Sequence, residues 1–277
     1  MGRKKRRIGW LELLLAATIV ALVVQSIGLV IEGWRSRARA GVQVPARYVG
    51  QVGDGADAVP FQFDYLLYLP SDCADGRPWP LVVYLHGAGE RGSDLAILRR
   101  GGLPGLVDRG RHFDFILVSP QCPADSRWEP DRIVKLIEHV SSSFRVDRSR
   151  VYLTGYSMGG FGTWSTACFD PDRFAAIVPL AAGGDVVQAG RLVDLPIWAF
   201  HGAKDQTVPL QASQAMVDAV RKSGGDVKLT VYPEHGHGIC SLTYDNGRLF
   251  RWLLAQRRTQ PPIRPSAVAK TVSLGQR

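Results

Sequence analysis

A serine hydroxyl attacks a carbonyl carbon only when a base takes its proton and the backbone presents its oxygen. Gly155-Tyr156-Ser157-Met158-Gly159 meets the second condition. It joins an apolar, β-prone run at 151–154 to a predicted helix at 160–169. A G-x-S-x-G sequence between strand and helix makes a sharp bend with the serine Oγ at its tip. The glycines leave room where a Cβ would meet neighbouring backbone. An ordinary Gly-Ser turn has the same composition, so the chemistry needs a base and a carboxylate further along.

Both residue types follow in the required order. The run 196–202 reads as a buried strand, and Ala203-Lys204-Asp205 continues from it. Asp205 therefore falls at a strand's carboxyl end, where open α/β sheets collect their functional loops. Residues 227–232 alternate apolar and polar and read as another strand, and Pro233-Glu234-His235-Gly236-His237-Gly238 is the loop after it. One histidine there could take the serine proton while Asp205 fixes the other ring nitrogen. His237, flanked by two glycines, is favoured over His235. The H-x-H pair could also suggest metal, but further ligands of matching geometry are not evident, and no metal is assigned. Asp185, after an apolar run at 177–182, and Asp194, at the wrong end of its strand, are the rival acids.

An oxyanion needs N–H donors. The apolar strand 81–85 leads into His86-Gly87-Ala88-Gly89-Glu90-Arg91-Gly92, whose small residues let backbone approach a developing alkoxide. Met158, the residue after the serine, offers the second donor. His86 reads as a loop-ordering ring rather than a proton carrier. Gly87 and Trp128 are the candidate substrate contacts, and Trp128 reads equally well as core.

With these segments in view, the chain resembles the α/β-hydrolase serine esterases of the dienelactone hydrolase and polyhydroxybutyrate depolymerase type. It is most similar to the predicted-peptidase and phospholipase/carboxylesterase-like group within them. The resemblance is carried by 85–92, Ser119-Pro120-Gln121-Cys122-Pro123, 153–164, Pro171-Asp172-Arg173-Phe174, 199–205, Tyr232-Pro233 and Gly236-His237. It spans roughly residues 61–254. It implies a mostly parallel central sheet with helices on both faces, and a serine hydrolase of carboxylic esters that uses no cofactor. It also implies Ser157 as nucleophile, Asp205 as acid, His237 as base, and Ala88 with Met158 as oxyanion donors. Gly238-Ile239-Cys240 departs from the group's usual residues after the histidine, which leaves substrate preference open. A peptidase with the same machinery and a silent, membrane-anchored binding protein are the alternative readings.

The elements that must position these residues alternate as an α/β chain should. Strands are expected at 61–69 and 115–118. Helices are expected at 131–144, where Ile133, Val134, Leu136, Ile137 and Val140 form a stripe, at 210–223, opened by Pro209 and closed by Gly224-Gly225, and at 249–254. The catalytic domain is set at 41–256.

Residues 1–40 differ in kind. Arg3, Lys4, Lys5, Arg6 and Arg7 precede an almost unbroken apolar stretch at 13–31, flanked by Trp10 and Trp34. At about 1.5 Å per residue that stretch crosses a hydrocarbon core of about 30 Å. One N-terminal transmembrane helix is expected, with a single pass through the cell membrane and the catalytic domain on the extracytoplasmic side. The rival is secretion after signal cleavage at Ala38-Arg39-Ala40. Of the +9 net charge, residues 1–40 carry eight basic and two acidic groups and residues 257–277 five basic and none acidic, which leaves −2 for the middle. That balance argues against nucleic acid as a partner. The tail at 257–277, with Pro261, Pro262 and Pro265, is expected to be disordered. Cys73, Cys122, Cys168 and Cys240 could pair or remain thiols.

Overall fold

The computed structural model describes residues 40–258 apart from Asp54. The apolar stretch at 13–31 and the tail from 259 onward lie outside the described residues, and the anchor expected there lies outside with them. Among the described residues no helix is long and apolar enough to cross a membrane.

Within that span one sheet is built from β1 (Gln43–Val52), β2 (Val59–Tyr68), β3 (Trp79–Leu85), β4 (Ile116–Pro120), β5 (Val146–Tyr156), β6 (Ala176–Leu180), β7 (Ile197–Gly202) and β8 (Val227–Tyr232). Their spatial order is β1-β2-β4-β3-β5-β6-β7-β8. β2 runs antiparallel to both β1 and β4, and every other pairing is parallel. The mostly parallel sheet expected from the sequence is therefore present, with an antiparallel margin. Six helices accompany it among the described residues: α1 (Gly102–Asp108), α2 (Pro130–Ser143), α3 (Met158–Phe169), α4 (Leu210–Lys222), α5 (Cys240–Tyr244) and α6 (Gly247–Ala255).

Side chains along β3 alternate between two buried faces, and all seven of its residues are buried. Val82 and Tyr84 join a cluster with Leu103, Leu106 and Val107 of α1 and Leu249, Phe250 and Leu253 of α6. α2 packs on α3, and α3 packs on β5 and β6. The expected stripe Ile133, Val134, Leu136, Ile137 and Val140 is the buried face of α2. Each such aliphatic side chain contributes about 1.5–3 kcal/mol when removed from water, so this layer fixes where β5 ends and α3 begins.

Among the elements that escaped the sequence reading are β1, α1 and α5. β1 is an edge strand with little buried face and with Pro45 and Gly50 inside it. Both residue types weaken a strand signal. α1 contains two glycines and a proline in seven residues, yet Leu103, Leu106 and Val107 are buried. Burial overrides poor intrinsic propensity there. At the other end, Arg257 and Arg258 dock rather than trail away. The Arg258 N–H donates to the Ser149 carbonyl at 3.0 Å, and the Arg257 guanidinium lies 3.3 Å from Asp147 Oδ2.

Candidate active site

The bend at Ser157 is steep. Its φ of 54° and ψ of −117° place a non-glycine residue in the left-handed half of backbone space, at a cost on the order of 1–3 kcal/mol. Two backbone hydrogen bonds hold it there. The Ser157 N–H donates to Leu180 O at 2.9 Å, and its own carbonyl accepts from Phe161 N–H at 3.0 Å. The motif glycines are needed for close approach. A Cβ on Gly155 would collide with the Gly159 carbonyl, and one on Gly159 with the Leu85 carbonyl. On Gly160 it would come within 2.5 Å of Leu180 O. The elbow is thus wedged between the ends of β3 and β6.

Three loops at the carboxyl ends of parallel strands meet at this point. His237 Nε2 lies 2.9 Å from Ser157 Oγ, and His237 Nδ1 lies 2.7 Å from Asp205 Oδ2. The Asp205 carboxylate is wholly buried, whereas the His237 ring keeps one edge open to solvent. Burial alone would raise the Asp205 pKa. It is outweighed by the His237 hydrogen bond and by the Val208 and Thr207 N–H groups, each 2.9 Å from Oδ1, so the carboxyl sits below its ordinary value. A carboxylate held in this way remains ionised and orients the imidazole.

The rivals take other places. His235 is exposed and packs edge-on against Tyr232. Asp185 is exposed and caps the short helix Val186–Leu192 by accepting from Val187 N–H at 3.0 Å. Asp194 is exposed just ahead of β7.

The loop after β3 is braced by His86. Its Nδ1 lies 2.6 Å from Gly87 O, and its Nε2 accepts from the Cys122 N–H at 2.9 Å. Burial lowers its pKa to about 4, opposed by the Gly87 hydrogen bond. The ring is therefore neutral, and it ties two loops together, as its loop-ordering reading anticipated. Trp128 is a core residue that also borders the cleft. Its indole N–H donates to His86 O at 3.1 Å. Gly87 adjoins Ala88 of the cleft wall. Its carbonyl faces inward to the His86 ring, and a Cβ on it would meet Glu90 Oε2 at 3.3 Å and Tyr156 Cδ1 at 3.4 Å.

The cleft has a volume of about 530 Å³ and contains Ser157, Met158 and Ala88. Met158 is the first residue of α3, so its N–H is one of the donors a helix start leaves free. Phe161, Trp128, Arg91, Arg127 and Asp185 also form part of its wall. The four cysteines are all free thiols. Burial pushes Cys240, the one nearest His237 in sequence, up to about 12.

Two contributors went unread in the sequence. Tyr156 donates its hydroxyl to the His237 carbonyl at 3.0 Å and packs its ring against the imidazole. His201, four residues before Asp205, places Nε2 3.2 Å from Asp205 Oδ2. The available signal was the i, i+4 spacing of His201 and Asp205 across a strand end.

Residues 124–245, which include Ser157, Asp205 and His237, match the model of the dienelactone hydrolase family. A carboxymethylenebutenolidase-type protein of Yersinia pestis is 27% identical over 211 residues, covering 67% of this chain and 78% of its own. The bifunctional acetylxylan esterase/xylanase XynS20E of Neocallimastix patriciarum is 25% identical over 72% of this chain and 31% of its own length. Among solved structures, a thermostable esterase is 32% identical with a TM-score of 0.62; the match covers 76% of this chain and 63% of the esterase. Sheet order, elbow and relatives agree on the α/β-hydrolase fold, and over residues 124–245 the chain is similar to the dienelactone hydrolase family.

Proposed function

We propose that the protein hydrolyses carboxylic esters through an acyl-enzyme on Ser157. The observation that carries this reading is the unbroken hydrogen-bonded line Ser157 Oγ, His237, Asp205, at 2.9 and 2.7 Å. In the first half-reaction Oγ bonds to the ester carbon while its proton passes to His237 Nε2. Asp205 steadies the imidazolium from Nδ1. The carbonyl oxygen becomes an alkoxide and takes hydrogen bonds from the Met158 and Ala88 N–H groups, each worth about 3 kcal/mol. Collapse breaks the bond to the alcohol oxygen, which leaves with the proton held by His237. Water, deprotonated by the same nitrogen, then attacks the acyl carbon; the bond to Ser157 Oγ breaks, Oγ takes the proton back from His237, and the acid is released.

The balance of charge in the cleft narrows the substrate. Among the described residues Arg91 hydrogen-bonds to the carbonyls of Ala88 and Ser126. Arg127 is exposed in the same cleft. The opposing Asp185 is engaged by Val187 N–H and Gln188 Nε2. An ester bearing an acidic group fits this balance better than a cationic one. Ser157→Ala tests the assignment: p-nitrophenyl ester turnover should vanish with the fold retained, and persisting turnover would refute it. Matched ester and amide substrates separate the esterase from a peptidase using the same residues. A fluorophosphonate probe that fails to label Ser157 would favour a silent binding protein. The reading also includes a membrane tether at 13–31, which rests on its length and basic flanks.

A further inference from the structure

His201 is a buried ring with no part in the steps above, being 0% exposed at the end of β7. Its Nε2 faces two groups that can only accept, Val208 O at 2.9 Å and the ionised Asp205 Oδ2 at 3.2 Å. Nε2 must therefore carry a proton. Its Nδ1 lies 2.7 Å from Ser213 Oγ, on α4. That hydroxyl has one proton and donates it to Ala182 O at 2.6 Å. Were the proton turned toward Nδ1, two oxygen lone pairs would face each other at 2.6 Å with nothing between them. Nδ1 is then a donor as well. An imidazole that donates from both nitrogens is a cation.

We infer that His201 stands behind Asp205 as an imidazolium and is a positioning residue for the hydrolytic line, an inference that rests on the assignment of Ser157, His237 and Asp205 as that line. Its positive charge is compensated by the carboxylate it touches, as a buried charge must be. With His237 hydrogen-bonded to Oδ2, two backbone N–H groups on Oδ1 and the His201 ring in ionic contact 3.2 Å from Oδ2, both carboxylate oxygens are engaged. Ser213 extends the arrangement to the Ala182 carbonyl, just past β6. A fixed carboxylate keeps the His237 ring aimed at Ser157, which matters most as the serine proton moves.

The test uses histidine-ring nitrogen NMR on the full-length wild-type protein at neutral pH, with His201 assigned by its loss in His201→Gln. Protons on both ring nitrogens are expected, and a single proton on the ring overturns the inference even if no variant folds. Kinetics supply the second arm. In His201→Leu, folded by near-UV circular dichroism, kcat for a p-nitrophenyl ester should fall roughly tenfold with KM within about twofold. His201→Gln, which retains a donor toward Asp205, should fall less. An unchanged kcat in folded His201→Leu overturns the positioning role. Failure of the underlying ester-hydrolase reading would show separately, as turnover surviving in Ser157→Ala whatever the His201 spectrum.

Discussion

The His86 ring carries a pH dependence of stability in its surroundings. The unfolded chain binds a proton at this ring near 6.5, and the folded one only near 4. Between those values the unfolded state holds more protons, so stability falls as pH drops from about 6.5 to about 4 and is fully present above 6.5. His86→Gln keeps an acceptor for the Cys122 N–H and removes the titration. Its melting temperature should change less across that window than that of the wild type, and parallel curves would show that the ring is not the source. Asp205 has the opposite ionic preference with the same sign in pH. Its folded pKa lies below the ordinary value, so its contribution is present above that ordinary value and lost as pH falls through the folded one. Asp205→Asn should lower kcat about 10³–10⁴-fold while leaving KM within a few-fold, because the orienting charge acts on His237 rather than on substrate.

At the level of elements, the elbow shows how little freedom the β5–α3 junction has. Gly159→Ala drives a methyl group into the Leu85 carbonyl. It should lose about 3 kcal/mol or fail to fold, read as a shift in the urea midpoint. Gly89→Ala in the neighbouring loop has nothing within 4 Å of its new Cβ. It should stay within about 0.5 kcal/mol of the wild type. A comparable loss at both positions would show that the wedge between β3 and β6 is not what fixes the elbow. The contrast also marks what periodicity could reveal. α2 was legible because its apolar stripe matches the helical repeat, and α4 because Pro209 opens it and Gly224-Gly225 close it. α1 was not, because Gly102, Pro104 and Gly105 argue against a helix and only the cluster around Tyr84 and Phe250 sustains it.

For the whole molecule, the sheet gathers residues separated by 80 and 32 positions in the chain into one hydrogen-bonded line. Every residue of that line lies within the described span 40–258. A chain lacking residues 1–39 should retain ester turnover. If 13–31 is the tether, that variant should leave the membrane fraction, whereas the full chain should stay in it through an alkaline carbonate wash. A full chain released by carbonate would remove the anchor from the proposal.

The sequence alone determined the chemistry-bearing residue types, their order, and the strand or helix on which most of them sit. These follow from local rules: the space a glycine leaves at a bend, the period of an apolar stripe, and the placement of loops after strands. Only tertiary structure shows that His237 and Asp205 lie in hydrogen-bonding line with Ser157 while His235 and Asp185 stay exposed outside it, because each pair offers the same chemical groups and only distance separates them. It also brought His201 and Tyr156 beside the line. Their roles depend on which loops a twisted sheet draws together, and that information is absent from the neighbourhood of any one residue in the chain.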